Sequence, residues 1–432
     1  MFYTLLFFVL GGNINLMKIN KIKGTSDLYG DKMAKYRYVE KIAFETAKLF
    51  GYEEMQTPVF EATEVFSRGV GEGSDIVNKE MYTFLDRSEK SLTLRPEGTA
   101  GLSRAYVENK LYVEPGIKKY CYFEQMFRAE RPQAGRYRQF TQFGVEALGN
   151  GSPYLDADVI YLGKTILENL GIKKYKLLIN SIGSINSRTS YEKALKEHFE
   201  KHIDTMCDDC KVRLLKNPLR ILDCKVDKQH QAMLSSPKIK DYLCEEDKKY
   251  FEDVLKTLDY LNVSYEIDYN LVRGLDYYNN TVFEFICDDE KSDIYGMAIL
   301  AGGRYNGLSA CFDGPVEGAI GFGMGADRIM YMLDEDENFP KYQKEVDFCI
   351  LSIGEENKIH ALGLANFLRC SNAKFSVELD YVAANLKPQF KLSERVNAKN
   401  LIIIGSDEVE NNTLKLKNIA TQEENIITLK VI

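Results

Sequence analysis

Apolar positions recur along the chain with helical spacing in some segments and with strand-like spacing in others. From Asp31 to Phe50 they follow a helical period that ends at Gly51, which predicts a surface helix. Short β-rich runs follow, separated by polar turns. Their lengths and turn spacing predict an antiparallel sheet. The runs are Glu80–Leu85, Ser91–Leu94, Tyr120–Phe127, Tyr137–Leu148, Thr281–Cys287 and Met297–Ala301.

Two segments depart from this pattern. Residues from about Ser187 to Leu261 are charged, helix-prone and nearly free of glycine, which predicts a helical insertion in the sheet domain. After an acidic run, strand and helix patterns alternate, which predicts a small α/β domain. The candidates there are strand Val346–Ile353, helices around Lys358–Cys370 and Pro388–Asn397, and strand Leu401–Gly405. The fold class is therefore α+β, an antiparallel sheet flanked by helices, plus a C-terminal α/β domain.

These patterns predict domain boundaries. Residues 1–16 would be an upstream extension, 17–333 the sheet domain with its insertion at about 187–261, 334–344 a linker, and 345–432 the C-terminal domain. The run Phe2–Leu10 is too short to span a bilayer and lacks the basic flank and cleavage site of a signal peptide. Met17 begins a segment that resembles a natural start. A membrane tether is the alternative interpretation of 1–16.

Composition narrows the class of protein. A chain of 432 residues predicts two or three domains, and 45% hydrophobic with 28% charged residues indicates a globular protein. The net charge of -8 excludes a wholly basic nucleic-acid surface, so any RNA contact must be local. Nine cysteines, an odd number without dense regular spacing, predict a reducing, cytoplasmic location. No membrane partner is expected, because the apolar run Phe2–Leu10 is too short to span a bilayer.

Acidic and hydroxyl groups mark one candidate site. In Thr93–Ala100, Glu97 and Thr99 stand where a strand ends and a helix is predicted to begin. They would hold an ammonium group or, alternatively, cap the helix. Gln142 and Glu146 stand four apart on a predicted strand and share one face. A carboxylate buried there needs a cationic or donor partner.

Arginine clusters mark the others. Phe123–Pro132 and Gly135–Phe140 predict two strands joined by an arginine-rich loop, which suits a triphosphate because each guanidinium makes two parallel bonds. Surface salt bridges with Glu124 and Glu130 are the alternative. Leu271–Asn279 places an arginine, an acid and two tyrosines around a glycine, where an ordinary structural Arg–Asp pair is the alternative. Gly321–Arg328 is a glycine-spaced strand entering a helix, without the spacing of a dinucleotide fingerprint.

In this order the clusters resemble those of class II aminoacyl-tRNA synthetases, and within that class the histidyl-tRNA synthetase family, over essentially Met17 to Ile432. Asp327 departs from the family pattern, which has glutamate before the motif 3 arginine. The matching segments are Gly51–Pro58 for motif 1, Phe127–Glu130 with Arg136 and Phe140 for motif 2, Gly323–Arg328 for motif 3, and Leu271–Tyr278 and Gly302–Leu308 for the two histidyl-specific elements.

The resemblance implies ATP-dependent attachment of L-histidine to tRNA(His) through histidyl-adenylate, with Mg²⁺ on the outer phosphates and a homodimer built on motif 1. Glu97 and Thr99 would hold the α-amino group, while Glu146 and Tyr278 would flank the imidazole. The implied histidine-binding residues are Glu97, Thr99, Gln142, Glu146, Tyr277, Tyr278 and Tyr305. The implied ATP-binding residues are Arg128, Arg136, Phe140, Arg273 and Arg328, of which Arg128 and Arg273 would be catalytic at the α-phosphate.

Four cysteines in the insertion form a weaker pattern. Cys207-x-x-Cys210, with Cys224 and Cys244 farther along and His230 nearby, only loosely resembles a zinc site. Reduced, partly buried cysteines are the favoured interpretation and structural zinc is the alternative, so no metal ligand is assigned. The neighbouring stretch Pro218–Lys225 resembles a segment common in bacterial members of the family and is not interpreted as catalytic.

A binding protein is the alternative to an enzyme. A paralogue of the family serves as the histidine-sensing regulatory subunit of ATP phosphoribosyltransferase and lacks the C-terminal domain. Here Leu386–Lys391 and Leu401–Gly405 resemble the family's anticodon-binding module, and the arginine clusters are complete. The ligase is therefore the favoured interpretation.

Overall fold

The computed structural model of the chain describes residues 19–71, 73–336, 339, 344–382 and 385–428. The expected extension 1–16 and six positions of the expected linker 334–344 lie outside the described residues. Among the helices that are described, none combines the length and apolar character needed to cross a membrane.

Strands and helices occur in the following order. The strands are β1 Glu53–Glu54, β2 Phe60–Ala62, β3 Tyr82–Leu85, β4 Ser91–Leu94, β5 Lys118–Phe127, β6 Gln139–Leu148, β7 Tyr175–Ser181, β8 Glu266–Ile267, β9 Asn279–Cys287, β10 Ala298–Arg304, β11 Ala319–Gly325, β12 Val346–Ser352, β13 Val377–Leu379, β14 Ala398–Ile404, β15 Thr413–Asn418 and β16 Glu424–Thr428. The α-helices are α1 Asp31–Leu49, α2 Thr63–Val70, α3 Thr99–Glu108, α4 Pro153–Asn169, α5 Ile185–Phe199, α6 Asp208–Lys216, α7 Gln231–Leu234, α8 Glu245–Tyr260, α9 Ala326–Glu335, α10 Lys358–Cys370, α11 Leu386–Arg395 and α12 Ser406–Glu410. Short 3₁₀ turns lie at Leu111–Val113, Ile203–Thr205, Pro218–Asp223, Ile239–Asp241 and Leu308–Phe312, and a π turn at Ile76–Glu80.

The larger sheet, called the central sheet below, has the strand order β1-β5-β6-β11-β10-β9-β7-β8. From β5 to β7 every pair is antiparallel, as the sequence predicts. The prediction is wrong at both edges, where β1 runs parallel to β5 and β8 runs parallel to β7. Parallel pairing needs a long crossover, and both edge pairs have one. The helical insertion is the crossover between β7 and β8.

The prediction of one sheet is also wrong for the two early runs. Strands β3 and β4 form a separate three-stranded sheet with β2, in the order β2-β4-β3, called the small sheet below. Leu94 pairs with Phe60 on one side and Tyr82 on the other, so both edges of β4 are occupied. Residues 80 and 81, predicted as strand, fall at the end of the π turn and just after it.

Local sequence accounts for the helix boundaries. Helix α1 starts at Asp31, whose charge favours a helix N-terminus, and ends just before Gly51, which has φ of 80°. Helix α4 has Pro153 in its first turn and Ser152 as a cap that accepts a hydrogen bond from the Tyr154 N–H. This helix packs against α8 and against strands β10 and β11, covering one face of the central sheet.

The chain divides into two compact units. One takes its described residues from 1–27 and 36–337, and the other from 28–35 and 338–432. In the second unit the strand order is β13-β12-β14-β15-β16, with β12 parallel to both β13 and β14. Ile350, Ala361 and Ile402 contribute to its core. The predicted fold class is confirmed, including the C-terminal α/β domain.

Candidate active site

A cleft of about 930 Å³ opens in the first unit at one side of the central sheet. Residues from all four clusters line it, although as many as 231 positions separate them in sequence (97 to 328). The residues expected to bind histidine or ATP that line this cleft are Glu97, Thr99, Arg128, Arg136, Phe140, Gln142, Arg273, Tyr277, Tyr278 and Arg328.

Glu146 and Tyr305 do not line the cleft. Glu146 is 1% exposed and lies behind Thr99 and Tyr122, which do line it. Its carboxylate accepts hydrogen bonds from Thr99 Oγ1 at 2.7 Å, from Tyr122 Oη at 3.2 Å and from the Tyr305 hydroxyl. Burial raises the pKa of this carboxyl to about 8, against the lowering effect of Tyr305 and Thr99. Tyr305, which was expected near histidine, therefore contacts Glu146 and would act on a ligand only by holding that carboxylate.

Glycines leave room for this arrangement. Strand β11 pairs with β6 so that Gly321 stands opposite Glu146. A Cβ at Gly321 would lie 2.0 Å from Glu146 Oε2, and a Cβ at Gly144 would lie 2.1 Å from the Tyr122 ring. Both distances are shorter than Cβ contacts in real structures, so a side chain at either strand position would have to displace its neighbours.

The Glu97 carboxylate caps helix α3. It accepts hydrogen bonds from the Thr99 N–H at 2.8 Å and the Ala100 N–H at 2.9 Å, and the Tyr277 hydroxyl is 3.4 Å away. The structure thus contains the capping contact that the sequence offered as the alternative. Because Glu97 also lines the cleft, the same carboxylate remains available to a ligand. Burial raises its pKa.

Arg128 and Arg136 flank Glu130 at the mouth of the β5–β6 hairpin. Arg128 donates from Nε to the Pro96 carbonyl at 2.9 Å, and its guanidinium carbon lies 5.2 Å from the centroid of the Phe140 ring. Arg136 donates to Glu130 at 3.1 Å. The salt-bridge alternative therefore holds for Glu130.

Glu124 forms no salt bridge with the arginines of this loop. This carboxylate pairs with buried Arg95 at 2.8 Å and stays outside the lining of the cleft.

Arg328 extends from the first turn of α9 into the same cleft. Its Nε donates to the Gly135 carbonyl at 2.8 Å, and an Nη donates to the Ala298 carbonyl. Burial and then the charges of Arg136 and Arg128 lower its pKa to about 10. Mutual repulsion among these three guanidinium groups is relieved when an anion enters, which makes the cleft suited to phosphates.

Arg273, which precedes β9, also lines the cleft. Its guanidinium forms an ion pair with Glu284 and lies 5.7 Å from the Tyr278 ring centroid. Burial lowers its pKa, but Glu284 raises the pKa more strongly, so Arg273 stays charged. The Arg220 side chain donates to the Arg273 backbone carbonyl at 2.8 Å. Two residues that sequence analysis did not assign to the site, Glu284 and Arg220, thus position Arg273.

Three tyrosine side chains pack together beside Glu97 and Glu146, where histidine is expected to bind. The Tyr277 ring centroid lies 4.6 Å from that of Tyr278 and 5.6 Å from that of Tyr305. Gln142 lies beside Gly323, where a Cβ would come within 3.3 Å of the amide. Tyr122 also lies beside Glu146 and was missed from the sequence, although a tyrosine facing a strand glycine is a usable signal.

Asp327, which departs from the family pattern, connects helix α9 to strand β6. Its carboxylate accepts a hydrogen bond from the Thr141 N–H at 2.6 Å, and burial raises its pKa to about 6. Arg304, from the second histidyl-specific element, is fully buried and pairs with Asp156 on α4. It anchors the turn that carries Tyr305.

Known proteins match the chain almost end to end. The family model described as histidyl-tRNA synthetase matches residues 24–329, and that of the anticodon binding domain matches residues 347–431. The histidine–tRNA ligase of Staphylococcus haemolyticus is 45% identical over 408 residues, 94% of this chain and 96% of that protein. The structure of apo histidyl-tRNA synthetase from S. aureus, 38% identical, has a TM-score of 0.79 and covers 95% of this chain and 97% of its own.

A more distant solved structure has a similar fold. It comes from Bacillus halodurans and is described as an ATP phosphoribosyltransferase regulatory subunit/histidyl-tRNA synthetase. It is 22% identical, with a TM-score of 0.64 over 90% of this chain and 99% of its own. That likeness concerns the fold alone. The match of both domains, together with 45% identity across nearly the whole length of a ligase, shows that the chain belongs to the histidyl-tRNA synthetase family.

Proposed function

We propose that this chain is a histidine–tRNA ligase that activates histidine with ATP and transfers it to tRNA(His). The observation that carries the proposal is the shared cleft, whose lining includes both a cluster of arginines and the residues Thr99 and Tyr122 that donate to the buried carboxylate of Glu146. The carboxylate end suits an imidazole and the arginine end suits a triphosphate. An amino acid and a nucleotide held in this way meet where an adenylate forms.

Histidine binding rests on Glu146. An imidazole N–H donating to this buried carboxylate would satisfy both groups, with Tyr278 on the other side of the ring. Glu97 and Thr99 would hold the α-amino group, because both line the cleft near the end of β4. Gln142, Tyr277 and Tyr305 would complete the enclosure.

Activation requires no side-chain nucleophile. A histidine carboxylate oxygen attacks the α-phosphorus, the bond from that phosphorus to the bridging oxygen breaks, and pyrophosphate leaves with the electron pair. Arg128 and Arg273 would meet the α-phosphate from opposite sides and stabilise the charge that grows on its non-bridging oxygens. Arg136 and Arg328 would bind the outer phosphates, and Phe140 would stack on adenine.

Magnesium is the metal proposed for the outer phosphates. Mg²⁺ takes oxygen ligands and is held in such sites by one or two carboxylates plus the substrate phosphates. Glu130 fits this requirement, since it is a partly exposed carboxylate that lines the cleft between Arg128 and Arg136. When bound, the ion would offset phosphate charge while the arginines orient the nucleotide.

The second domain is proposed to bind the tRNA anticodon. The family model matched over residues 347–431 supports this role. We retain 17–333 as the catalytic domain, 334–344 as the linker and 345–432 as the anticodon-binding domain. A cytoplasmic location is proposed because the nine cysteines are all free, as in a reducing compartment.

A homodimer is proposed from the small sheet and the motif 1 segment beside it. Phe60 is 52% exposed, Phe84 44% and Leu85 65%, and the two phenyl rings lie 6.4 Å apart. An apolar patch of this kind on a sheet surface is typical of an interface, and self-association would cover it through a two-fold axis. Sedimentation of the purified chain as a stable monomer at micromolar concentration would contradict the dimer.

The decisive experiment is ATP–pyrophosphate exchange by the purified full-length chain, with and without histidine, followed by tRNA(His) charging. A ligase exchanges pyrophosphate only when histidine is present and then charges tRNA. A regulatory subunit would bind histidine without exchange. That outcome, with binding verified by calorimetry, would reject the ligase in favour of the histidine-sensing alternative.

A further inference from the structure

Three cysteines and one aspartate converge in the helical insertion, away from the cleft. The sulfur atoms of Cys207, Cys210 and Cys224 and a carboxylate oxygen of Asp227 all lie within 4.8 Å of one another. Cys210, Cys224 and Asp227 are buried and Cys207 is partly buried. We propose that these four residues bind one structural zinc ion.

The spacing of the ligand atoms fits a mononuclear tetrahedral site. With Zn–S bonds of about 2.3 Å, tetrahedral geometry puts two sulfurs about 3.8 Å apart. Cys207 Sγ and Cys224 Sγ are 3.6 Å apart, and Cys224 Sγ is 3.7 Å from Asp227 Oδ2. An iron–sulfur cluster would need its ligands farther apart, because several iron and sulfide atoms lie between them. A disulfide has an S–S bond of about 2.05 Å, much shorter than this separation.

Local structure fixes the ligands. Cys207 directly precedes helix α6 and Cys210 lies in the first turn of that helix, while Cys224 directly follows the 3₁₀ turn Pro218–Asp223. The Asp227 N–H donates to Cys224 Sγ at 3.4 Å, and the Cys207 N–H donates to Asp227 Oδ2 at 3.0 Å. Backbone N–H groups that donate to ligand atoms orient and stabilise anionic ligands.

Three thiolates and a carboxylate favour zinc over other divalent metals. Thiolates are soft ligands that select zinc or copper(I) over magnesium and calcium, and the carboxylate oxygen favours zinc over copper(I). Four protein ligands also leave no open position, which is the pattern of a structural rather than a catalytic site. The charge of Arg213 interacts with Cys210 and Cys224 and would offset part of the negative charge of the ligands.

The structure changes the ligand set suggested by spacing alone. Cys244, the fourth cysteine of the insertion, instead contacts Glu246, with Sγ 3.5 Å from the carboxylate. His230 uses Nδ1 to accept from the Ala232 N–H and contacts Thr205 through Nε2. Asp227, three residues after Cys224, takes the fourth position. The pair Cys224-x-x-Asp227 is thus the counterpart of Cys207-x-x-Cys210.

A metal at this place would connect the insertion to the active site. The segment between Cys210 and Cys224 carries Arg220, which is 5% exposed and donates to the Arg273 carbonyl at 2.8 Å. Arg220 also pairs with Asp75 at 3.2 Å. By holding both ends of this segment, zinc would keep Arg220 in place. Zinc binding itself does not depend on the proposed ligase activity.

The test measures metal directly on the full-length chain purified under reducing conditions. Elemental analysis should find about one zinc per chain, as expected for a single four-ligand site. Replacing zinc with cobalt(II) should give the thiolate charge-transfer and visible bands of a tetrahedral sulfur site. Cys210→Ser should lose the zinc. Cys244→Ser, the matched control in the same insertion, should keep it.

Asp227→Asn keeps all three thiols and tests the carboxylate separately. We expect it to bind cobalt(II) at least about 10-fold more weakly, the smallest loss typical of removing a mere hydrogen-bond partner of a ligand, because a neutral amide is a poorer ligand than a carboxylate. If Cys210→Ser does not fold, the wild-type cobalt spectrum and the affinity of Asp227→Asn decide. A wild-type chain with neither stoichiometric zinc nor a thiolate–cobalt band would overturn the proposal. So would equal zinc loss in Cys244→Ser, or a Cys207–Cys224 disulfide in the fresh protein.

Discussion

At the scale of single residues, the charged forms of two kinds of side chain are disfavoured at the cleft. The Glu146 carboxyl has only neutral hydroxyl groups as partners, and its burial favours the protonated form. The charges of Arg136 and Arg128 disfavour the charged form of Arg328. An imidazole beside Glu146 and phosphates beside the arginines would stabilise both charged forms, so substrate binding would remove this energetic cost.

Arg273 is expected to act in the transition state of adenylate formation. Arg273→Ala should lower kcat about 100- to 1000-fold, with a smaller change in the KM for ATP, because its contacts would strengthen as charge grows on the α-phosphate. Arg273→Lys should rescue poorly, since a point charge cannot make two parallel bonds. Rapid-quench adenylate formation at saturating substrates measures this, with circular dichroism as the folding control. A normal rate in either variant would contradict the corresponding claim.

Histidine affinity should depend on pH through Glu146. In the free enzyme its carboxyl is protonated below about pH 8, the value to which burial raises its pKa. Free imidazole is neutral above about 6.5. Between these two pH values, free Glu146 is protonated and free imidazole is neutral. Together they then carry one titratable proton, which is the number that we expect the bound pair to share. Affinity should therefore be greatest in this window and fall on both sides, below because a proton must be released and above because one must be taken up.

Calorimetric titration of histidine from about pH 6 to about pH 9 tests this profile. Glu146→Gln cannot titrate, so the decline near pH 8 should disappear and overall affinity should fall, while ATP binding changes little. If histidine affinity still declines near pH 8 in this variant, a group other than Glu146 causes the decline.

The candidate residues with unusual chemistry could be predicted from the sequence, but the residues that hold them in position could not. Glu97, Arg128 and Arg273 stand in motifs whose composition is itself informative. Tyr122, Glu284 and Arg220 are ordinary residues of two strands and a turn. Their importance comes from register and packing between segments far apart in the chain, which no local pattern encodes.

At the scale of elements, the pairing of β6 with β11 sets the space around Glu146, because Gly321 stands opposite it. Gly321→Ala should raise the KM for histidine and destabilise the fold by about 1–3 kcal/mol, because the added methyl meets Glu146 Oε2 at 2.0 Å and the Val145 carbonyl at 2.2 Å. Denaturant unfolding and histidine kinetics measure the two effects. Gly151→Ala is the matched control, since a Cβ there meets nothing within 4 Å. Wild-type values for Gly321→Ala would show that the strands can separate freely.

Helices and strands were predicted correctly where the hydrophobic periodicity of the sequence is strong. The assignment of strands to sheets failed, because it depends on which strands pair with one another. Strand Ser91–Leu94 and helix Lys358–Cys370 were predicted with the observed bounds. Assignment of the early strands to one antiparallel sheet was wrong, because alternation along a strand does not specify its neighbour. The two-residue strands β1 and β8 are too short to leave any periodic signal.

At the scale of the whole molecule, the cleft and the proposed anticodon-binding domain occupy separate parts of the sequence. A chain ending before Glu345 should retain histidine-dependent pyrophosphate exchange and lose efficient tRNA charging, since every cleft residue precedes that point. Exchange and charging assays on the same preparation measure both, and circular dichroism checks folding. Full-rate charging by the folded truncated chain would rule out the anticodon-binding assignment.

The burial of Glu146 has a consequence for the accuracy of translation. An amino acid of similar size that lacks a ring N–H would leave this carboxylate without its partner in a water-poor pocket. Sites built around such a hydrogen bond reject the wrong substrate by about 10⁴- to 10⁵-fold, which is enough to make a separate proofreading reaction unnecessary. We therefore expect mischarged tRNA(His) to be rare because the wrong amino acids fail to enter, and not because they are removed afterwards.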